Sequence, residues 1–360
     1  LHNQSKFRLL VVRLGAMGDI LHALPAITAL RRAHPGWIID WVVEPGWRAL
    51  LSAQPPGYKS VRGPAQPVVD NLHLAPTKAW RRAPLSRNTI NEISELRRTL
   101  RSTPYDAILD LQGALRSAVV AKLTGCRRRI GEAEPREPAA RWLFTERIVT
   151  HGAHVIEQDV ELAEAVAGDA LAFTKPWLPV DPAAEAWCDK LLGEEVEDPV
   201  VLLNPGAGWG AKRWPAERYA AVASALTEGG FRVLVNAGPG EEPLAASIRD
   251  QSAEAATPLT CTLAQLIALT CRVALVIAGD TGPLHLACAI GRPVVGIYGP
   301  TDPTRNGPYG TRSRVLRSPD SQRDHTRNEA PEAGLLTISP ENVLAAAAEL
   351  LSEESEESLI

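Results

Sequence analysis

The chain has 360 residues, 45% of them hydrophobic and 22% charged, with a formal net charge of −4. That balance is that of an ordinary globular protein, and the length favours two domains over one. No apolar run approaches the roughly 18 residues needed to cross a bilayer: the densest, 263–279, is interrupted by Gln265 and Arg272. No signal peptide is read. The five cysteines form no C-x-x-C pair and adjoin no patterned histidines, so neither a zinc site nor a disulfide framework is expected. The net charge conceals an asymmetry: residues 1–150 hold 23 lysines and arginines against 12 acids, and the remainder 15 against 30. A basic half points to an anionic partner. The arginines are not interleaved with aromatics and no nucleic-acid motif is present, so nucleic acid is not expected.

In chain order, the apolar run at 7–14 has the length of a strand. It halts at Gly15 and Gly18, Asp19 follows, and Leu21, Leu24, Ile27 and Leu30 then recur at helical spacing over 20–33. A strand is expected at 37–43 and a helix at 87–101, with Ile90, Ile93, Leu96 and Leu100 on one face. A strand at 105–111 and a helix at 114–123 follow. Segment 173–187, with prolines at 176, 179 and 182, reads as an interdomain linker. The second half repeats the scheme, with strands at 199–204, 231–236, 272–278 and 293–298 and helices at 216–227, 263–268 and 284–290. Ser339 and Pro340 fit the N-cap and first position of an alanine-rich helix over 343–351, and an acidic tail closes the chain. Strands alternating with helices predict an α/β fold with parallel sheets.

In such sheets ligands bind at the carboxyl ends of strands, so the strand-to-helix junctions hold the candidate sites. At the first, Gly15 and Gly18 permit a tight turn and Asp19 stands at a helix start. Asp19 is either a cap for exposed N–H groups or a base held by position. The segment NPGAGWGAKRWP, 204–215, places glycines, among them Gly208, before Lys212 and Arg213. It fits a phosphate cradle, although it is not a Walker loop, and a purely structural loop is the alternative. In 278–303, Gly279-Asp280-Thr281-Gly282 precedes a helix that opens on Pro283, which makes a second candidate anion site. His285 lies one turn in, as a packing residue or a functional one. Glu241 and Glu242 close another strand as ribose-binding carboxylates or simply as an acidic first turn. The basic segments 77–87, with Lys78, Arg81 and Arg82, and 132–142, with Arg136, are acceptor loops or solvated surface.

Taken together, MGDILHALPAITALRRAHP with IDWVVE, AKRWP, and DTGPLHLACAIGRPVVGIYGPTDP resemble the motifs of family 9 glycosyltransferases, the heptosyltransferases of lipopolysaccharide core synthesis. The first stretch is most similar to the heptosyltransferase I branch and the glycine-rich loop to branch II. The resemblance spans residues 7 to about 310 in the correct order. It implies a GT-B fold: a Rossmann-like acceptor domain over 1–175, a Rossmann-like nucleotide-sugar domain over 176–338 facing it across a cleft, and a last helix, 339–360, returning to the N-terminal domain.

The resemblance further implies an inverting transfer from ADP-heptose to a Kdo-lipid A or heptosylated inner-core acceptor, with no metal and no cofactor. The enzyme would be cytoplasmic and peripheral at the inner membrane face. Asp19 matches the base, Lys212 the lysine on the donor phosphates and Glu242 the ribose carboxylate. Asp280, Thr281 and Gly282 match the donor loop, with Gly208 and His285 beside it. Arg136 matches an acceptor-side arginine, joined by Arg81, Arg82 and Arg116. Branch I carries hydroxyl residues before its lysine where this chain has the glycines of 206–210, so backbone N–H groups would hold the diphosphate.

Three other readings stay open at this point. A nicotinamide dehydrogenase would use Asp40 or Glu44 on a ribose, but its G-x-G-x-x-G turn is missing. Another nucleotide-sugar enzyme, such as an epimerase, would consume donor without acceptor. A non-catalytic sugar-nucleotide binder would not need Asp19.

Overall fold

The computed structural model describes residues 6–55, 61–193, 198–323 and 329–357. The chain divides into two compact units, Leu1–Val180 and Asp181–Ile360. The boundary falls inside the proline-rich segment expected to link the domains, five residues beyond the expected one.

The first unit runs β1 (Arg8–Val12), α1 (Met17–Ala33), β2 (Ile38–Val43), β3 (Asn71–Leu74), α2 (Thr77–Arg82), α3 (Arg87–Ser102), β4 (Ala107–Asp110), α4 (Leu115–Leu123), β5 (Arg129–Glu132), β6 (Glu146–Ile148) and α5 (Val155–Ala167). Its sheet has the order β3-β2-β1-β4-β5-β6, with every pair parallel. Central strands of such a sheet are covered on both faces and read as continuous apolar runs. Accordingly Leu9, Leu10, Val11 and Val12 are all fully buried. The basic segment at 77–87, expected as a loop, is instead α2 and the turn into α3, with Ser86 capping the Thr89 N–H at 3.1 Å.

The second unit runs α6 (Pro182–Leu192), β7 (Val200–Asn204), α7 (Ala216–Glu228), β8 (Arg232–Asn236), α8 (Glu242–Gln251), β9 (Ala256–Leu259), α9 (Leu263–Thr270), β10 (Leu275–Gly279), α10 (Gly282–Ile290), β11 (Val294–Tyr298), α11 (Pro303–Asn306), β12 (Ser313–Arg317) and α12 (Pro340–Glu357). Its order, β12-β11-β10-β7-β8-β9, is again wholly parallel and repeats the connectivity of the first sheet. Both are doubly wound sheets that start at the centre, run outward to one edge, then cross back to the other. The crossing leaves a crevice at the carboxyl ends of β1 and β4 in one unit and of β7 and β10 in the other.

The last helix, α12, starts where the sequence places it. Ser339 caps it as expected, exchanging bonds with Asn342 at 3.0 and 3.4 Å. It packs on α7, β12 and β11, and Val343, Ala346, Ala347 and Leu350 belong to the core of the second unit. The apolar face of α12 thus lies in the core of the second unit. The side chains of the acidic tail from residue 353 on lie outside the described residues.

Candidate active site

In the first unit the crevice is built around the turn after β1. Gly15 takes φ +154°, and a Cβ there would meet the Trp47 indole at 2.7 Å, so only glycine fits. Asp19 is the third residue of α1, not its N-cap. Its Oδ2 accepts the Ala16 N–H at 2.9 Å, and its Oδ1 lies 3.5 Å from the guanidinium of Arg13. Arg13 also donates through Nε to the Asp19 carbonyl at 3.1 Å and is itself 6% exposed. Asp19 therefore does cap the turn, yet a third of its side chain remains open to solvent. The cap and base readings are compatible, since one oxygen is anchored and the other is held mainly by the longer contact to Arg13.

From the neighbouring strand end, Gln112 Oε1 accepts the N–H groups of Leu14 and Gly15 at 3.1 and 3.3 Å. Asp110, at the end of β4, accepts on Oδ1 the N–H groups of Gln112 and Gly113, both at 2.9 Å, and the Ser117 hydroxyl at 3.1 Å. Its Oδ2 is buried and has no hydrogen-bond partner among the described residues. Burial pushes this carboxyl up to about 6, against the lowering effect of those bonds and of Arg13. Neither Gln112 nor Asp110 was among the residues expected from sequence.

The expected acceptor arginines fall in two places. Arg116, on the first turn of α4, and Arg136 are both exposed. The 135–137 loop is laid against the start of α4, because Glu137 Oε2 accepts the Leu115 N–H at 2.8 Å and the Glu137 N–H reaches the Gly113 carbonyl at 2.9 Å. Arg81 and Arg82 are exposed in the last turn of α2. The Lys78 ammonium of that helix lies 5.7 Å over the Trp47 ring that backs Gly15.

The acids a dehydrogenase would need are consumed. Asp40 is buried within β2 and accepts bonds from Asn71 and Tyr105, both at 2.8 Å. Glu44 holds the Thr77 hydroxyl and the Lys78 N–H.

In the second unit, Lys212 Nζ lies 2.5 Å from Asp280 Oδ2 and 3.3 Å from the Asp280 carbonyl. His285 Nε2 is 3.2 Å from the other carboxylate oxygen. The pair is buried, with Lys212 13% and Asp280 8% exposed. Burial alone would raise the Asp280 carboxyl, but His285 and Lys212 outweigh it and hold the group well below the usual carboxylate range. Thr281 is the N-cap of α10 and turns its hydroxyl back to the Gly279 carbonyl at 3.2 Å, leaving the first N–H groups of the helix, beginning with Gly282, uncapped. Trp209 lies 4.6 Å under the Lys212 ammonium.

The glycine-rich loop separates into structural and open positions. A Cβ on Gly206 would strike Glu241, and one on Gly210 would strike the backbone at Glu329, whereas one on Gly208 would meet nothing within 4 Å. Arg213, offered by the sequence as a second cation, donates to the Ala207 carbonyl at 3.2 and 3.1 Å and staples the loop. Glu241 turns inward to the Gly238 N–H at 3.0 Å, while Glu242 is exposed in the first turn of α8.

The sequence model of Glycosyltransferase family 9 (heptosyltransferase) matches residues 93–335. Lipopolysaccharide heptosyltransferase 1 of Escherichia coli K12 is 30% identical over 317 residues, 87% of this chain and 94% of that protein. Lipopolysaccharide heptosyltransferase 2 of the same strain is 26% identical, over 96% and 99% respectively. The solved structure of E. coli heptosyltransferase WaaC with ADP-2-deoxy-2-fluoro heptose superposes with a TM-score of 0.76 at 26% identity, covering 95% of this chain and 99% of that one. The family 9 structure from Veillonella parvula, at 24% identity and a TM-score of 0.82, shares the fold. On this match over most of its length, and with two doubly wound units of the GT-B class, the chain belongs to glycosyltransferase family 9, the heptosyltransferases.

Proposed function

We propose that this enzyme moves heptose from ADP-heptose to the Kdo-bearing inner core of lipopolysaccharide, inverting the anomeric carbon and needing no metal ion. The observation that carries the reading is the pairing of chemistries at the two strand-end crevices. One holds an anchored, partly open carboxylate, Asp19. The other holds a cation and an uncapped helix N-terminus. The donor class is supported by the E. coli relative solved with an ADP-heptose analogue. A heptosylated inner core is the alternative acceptor.

In this mechanism the acceptor hydroxyl gives its proton to the Asp19 oxygen that Ala16 does not hold, while its own oxygen attacks the anomeric carbon. The C–O bond to the diphosphate breaks on the opposite face, which inverts the centre, and ADP leaves as the anion. Negative charge grows on the leaving phosphate. Lys212 and the N–H groups at Thr281–Gly282 meet it, so the protein supplies the positive charge that a metal supplies in other transferases. Asp280, clamped by His285, fixes the Lys212 ammonium rather than touching substrate. Gly208 leaves room for the diphosphate to approach backbone N–H groups, and Glu242 takes the ribose hydroxyls. The reading requires the acceptor held by the first unit to reach the sugar held by the second.

Arg81, Arg82, Arg116 and Arg136 would bind the anionic acceptor, and the enzyme would meet the inner face of the cytoplasmic membrane through that lipid. Incubation with ADP-heptose and Kdo-lipid A, with proton NMR of the product, tests the proposal. Inverted anomeric configuration and full activity in EDTA are expected. Retention, or loss of turnover that a divalent ion restores, would refute it.

A further inference from the structure

Three consecutive residues follow β1 with their backbone N–H groups bonded to side chains: Leu14, Gly15 and Ala16. Only the third is taken by Asp19, at 2.9 Å. The first two are taken together by Gln112 Oε1, at 3.1 and 3.3 Å, from a residue almost a hundred positions away and 5% exposed. Gln112 is held in turn by Asp110, whose Oδ1 accepts the N–H groups of Gln112 and Gly113 and the Ser117 hydroxyl. The two strand ends of the crevice are thus stitched by one amide oxygen.

We propose that Gln112 is a positioning residue for Asp19: by occupying the Leu14 and Gly15 N–H groups, it confines the Asp19 carboxylate to the single N–H of Ala16. The inference rests on Asp19 being the base. Successive N–H groups at a turn attract an anion. With Gln112 absent, the first two are unpaired beside a carboxylate that already bonds the third. Asp19 then turns inward to meet them, because unpaired buried N–H groups are costly and a carboxylate is a strong acceptor. Its other oxygen is drawn away from the acceptor hydroxyl. A misplacement of about 1 Å in a reacting group can lower a rate by about 100-fold. The electrostatic setting includes Arg13, which faces both Asp19 and Asp110. Its charge attracts the carboxylate in either position, so it does not itself select between them.

The test uses the full chain in four forms: wild type, Gln112→Leu, Gln112→Asn and Gln112→Glu. Gln112→Leu removes the acceptor oxygen. Gln112→Asn keeps the amide but withdraws it by one methylene, and serves if Gln112→Leu fails to fold. Gln112→Glu restores an oxygen at the same reach. The expected result is a kcat about 10- to 100-fold lower for Gln112→Leu and Gln112→Asn. KM for the ADP-sugar and ADP affinity should stay within about three-fold of wild type, and Gln112→Glu should recover most of the lost turnover. A purely structural role would lower kcat in proportion to the folded fraction seen in thermal melts and would not follow the presence of the oxygen. Wild-type kcat in Gln112→Asn, or a loss that Gln112→Glu shares in full, overturns the proposal. Asp19→Ala is run in parallel. If it retains turnover, the base assignment has failed. If it is inactive while Gln112→Asn is unaffected, only the positioning role has failed.

Discussion

Replacement of Lys212 by alanine separates the ion pair seen in the structure from the proposed hold on the donor diphosphate. Lys212 neutralises a buried carboxylate, Asp280, at 2.5 Å, with both side chains nearly enclosed. Removing one partner of a buried pair typically costs about 3–5 kcal/mol. Here His285 remains 3.2 Å from the other oxygen and can share the charge, so about 2–3 kcal/mol is the expected loss. In a unit of this size that is a fall of about 5–10 °C in its melting temperature. On the proposed donor role, Lys212→Ala also removes a charge-assisted bond to the diphosphate and bares a carboxylate toward it. ADP binding should weaken by about 1.5–3 kcal/mol, or about 10- to 150-fold. Calorimetry with ADP and a thermal melt measure the two effects on one sample. The double variant Lys212→Ala/Asp280→Asn separates them: stability should largely return, because no bare charge remains, while ADP affinity should not. Unchanged ADP affinity in Lys212→Ala, with a lowered melting temperature, would refute the donor role and leave a structural ion pair.

Asp19→Ala should lower turnover by about 100- to 10,000-fold, the usual range for a lost general base, with ADP affinity unchanged. Because the carboxylate also caps the Ala16 N–H, a loss of about 1 kcal/mol in stability accompanies it, and an activity loss no larger than the folded fraction explains would contradict the base role. Arg81→Ala/Arg82→Ala should raise acceptor KM and flatten its dependence on salt, since these exposed charges act over about 8 Å at physiological ionic strength; an unchanged salt slope would return α2 to plain surface. Asp110 carries a folded-state carboxyl raised to about 6, so its contribution to stability is full below about pH 4 and is lost as pH rises through about 6. Asp110→Asn, which keeps an accepting oxygen for the turn, should therefore gain on wild type by on the order of 2–3 kcal/mol between pH 4 and 7.5. Parallel melting curves at every pH would contradict this.

Much of the fold was legible because central parallel strands are apolar along their whole length. The strands expected at 7–14, 105–111, 199–204 and 272–278 became β1, β4, β7 and β10, the inner strands of the two sheets. The edges were not legible. β3, Asn-Leu-His-Leu, is partly exposed, and β9 carries Pro258, so neither offers a continuous apolar run. The helix at α2 was hidden by its basic, loop-like composition. Which residues the apolar face of α12 meets is not named by spacing alone.

In the sites, glycine-then-acid at a strand end marked Asp19 and Asp280, because tight turns at sheet ends demand those residues. The local sequence could not reveal that Arg213 and Glu241 would be spent on their own loops. Nor could it mark Gln112, whose only signal is a pair of bonds to Leu14 and Gly15, 98 and 97 residues away.

The central claim, that Asp19 activates an acceptor for transfer from a nucleotide-heptose, is tested most directly by ADP release. Wild type and Asp19→Ala are each given ADP-heptose with and without Kdo-lipid A, and liberated ADP is measured against time. The account predicts release by wild type only when the acceptor is present, and release at least about 100-fold slower from Asp19→Ala under the same conditions. Rapid release from ADP-heptose with no acceptor, or an Asp19→Ala enzyme that keeps pace with wild type, would contradict it.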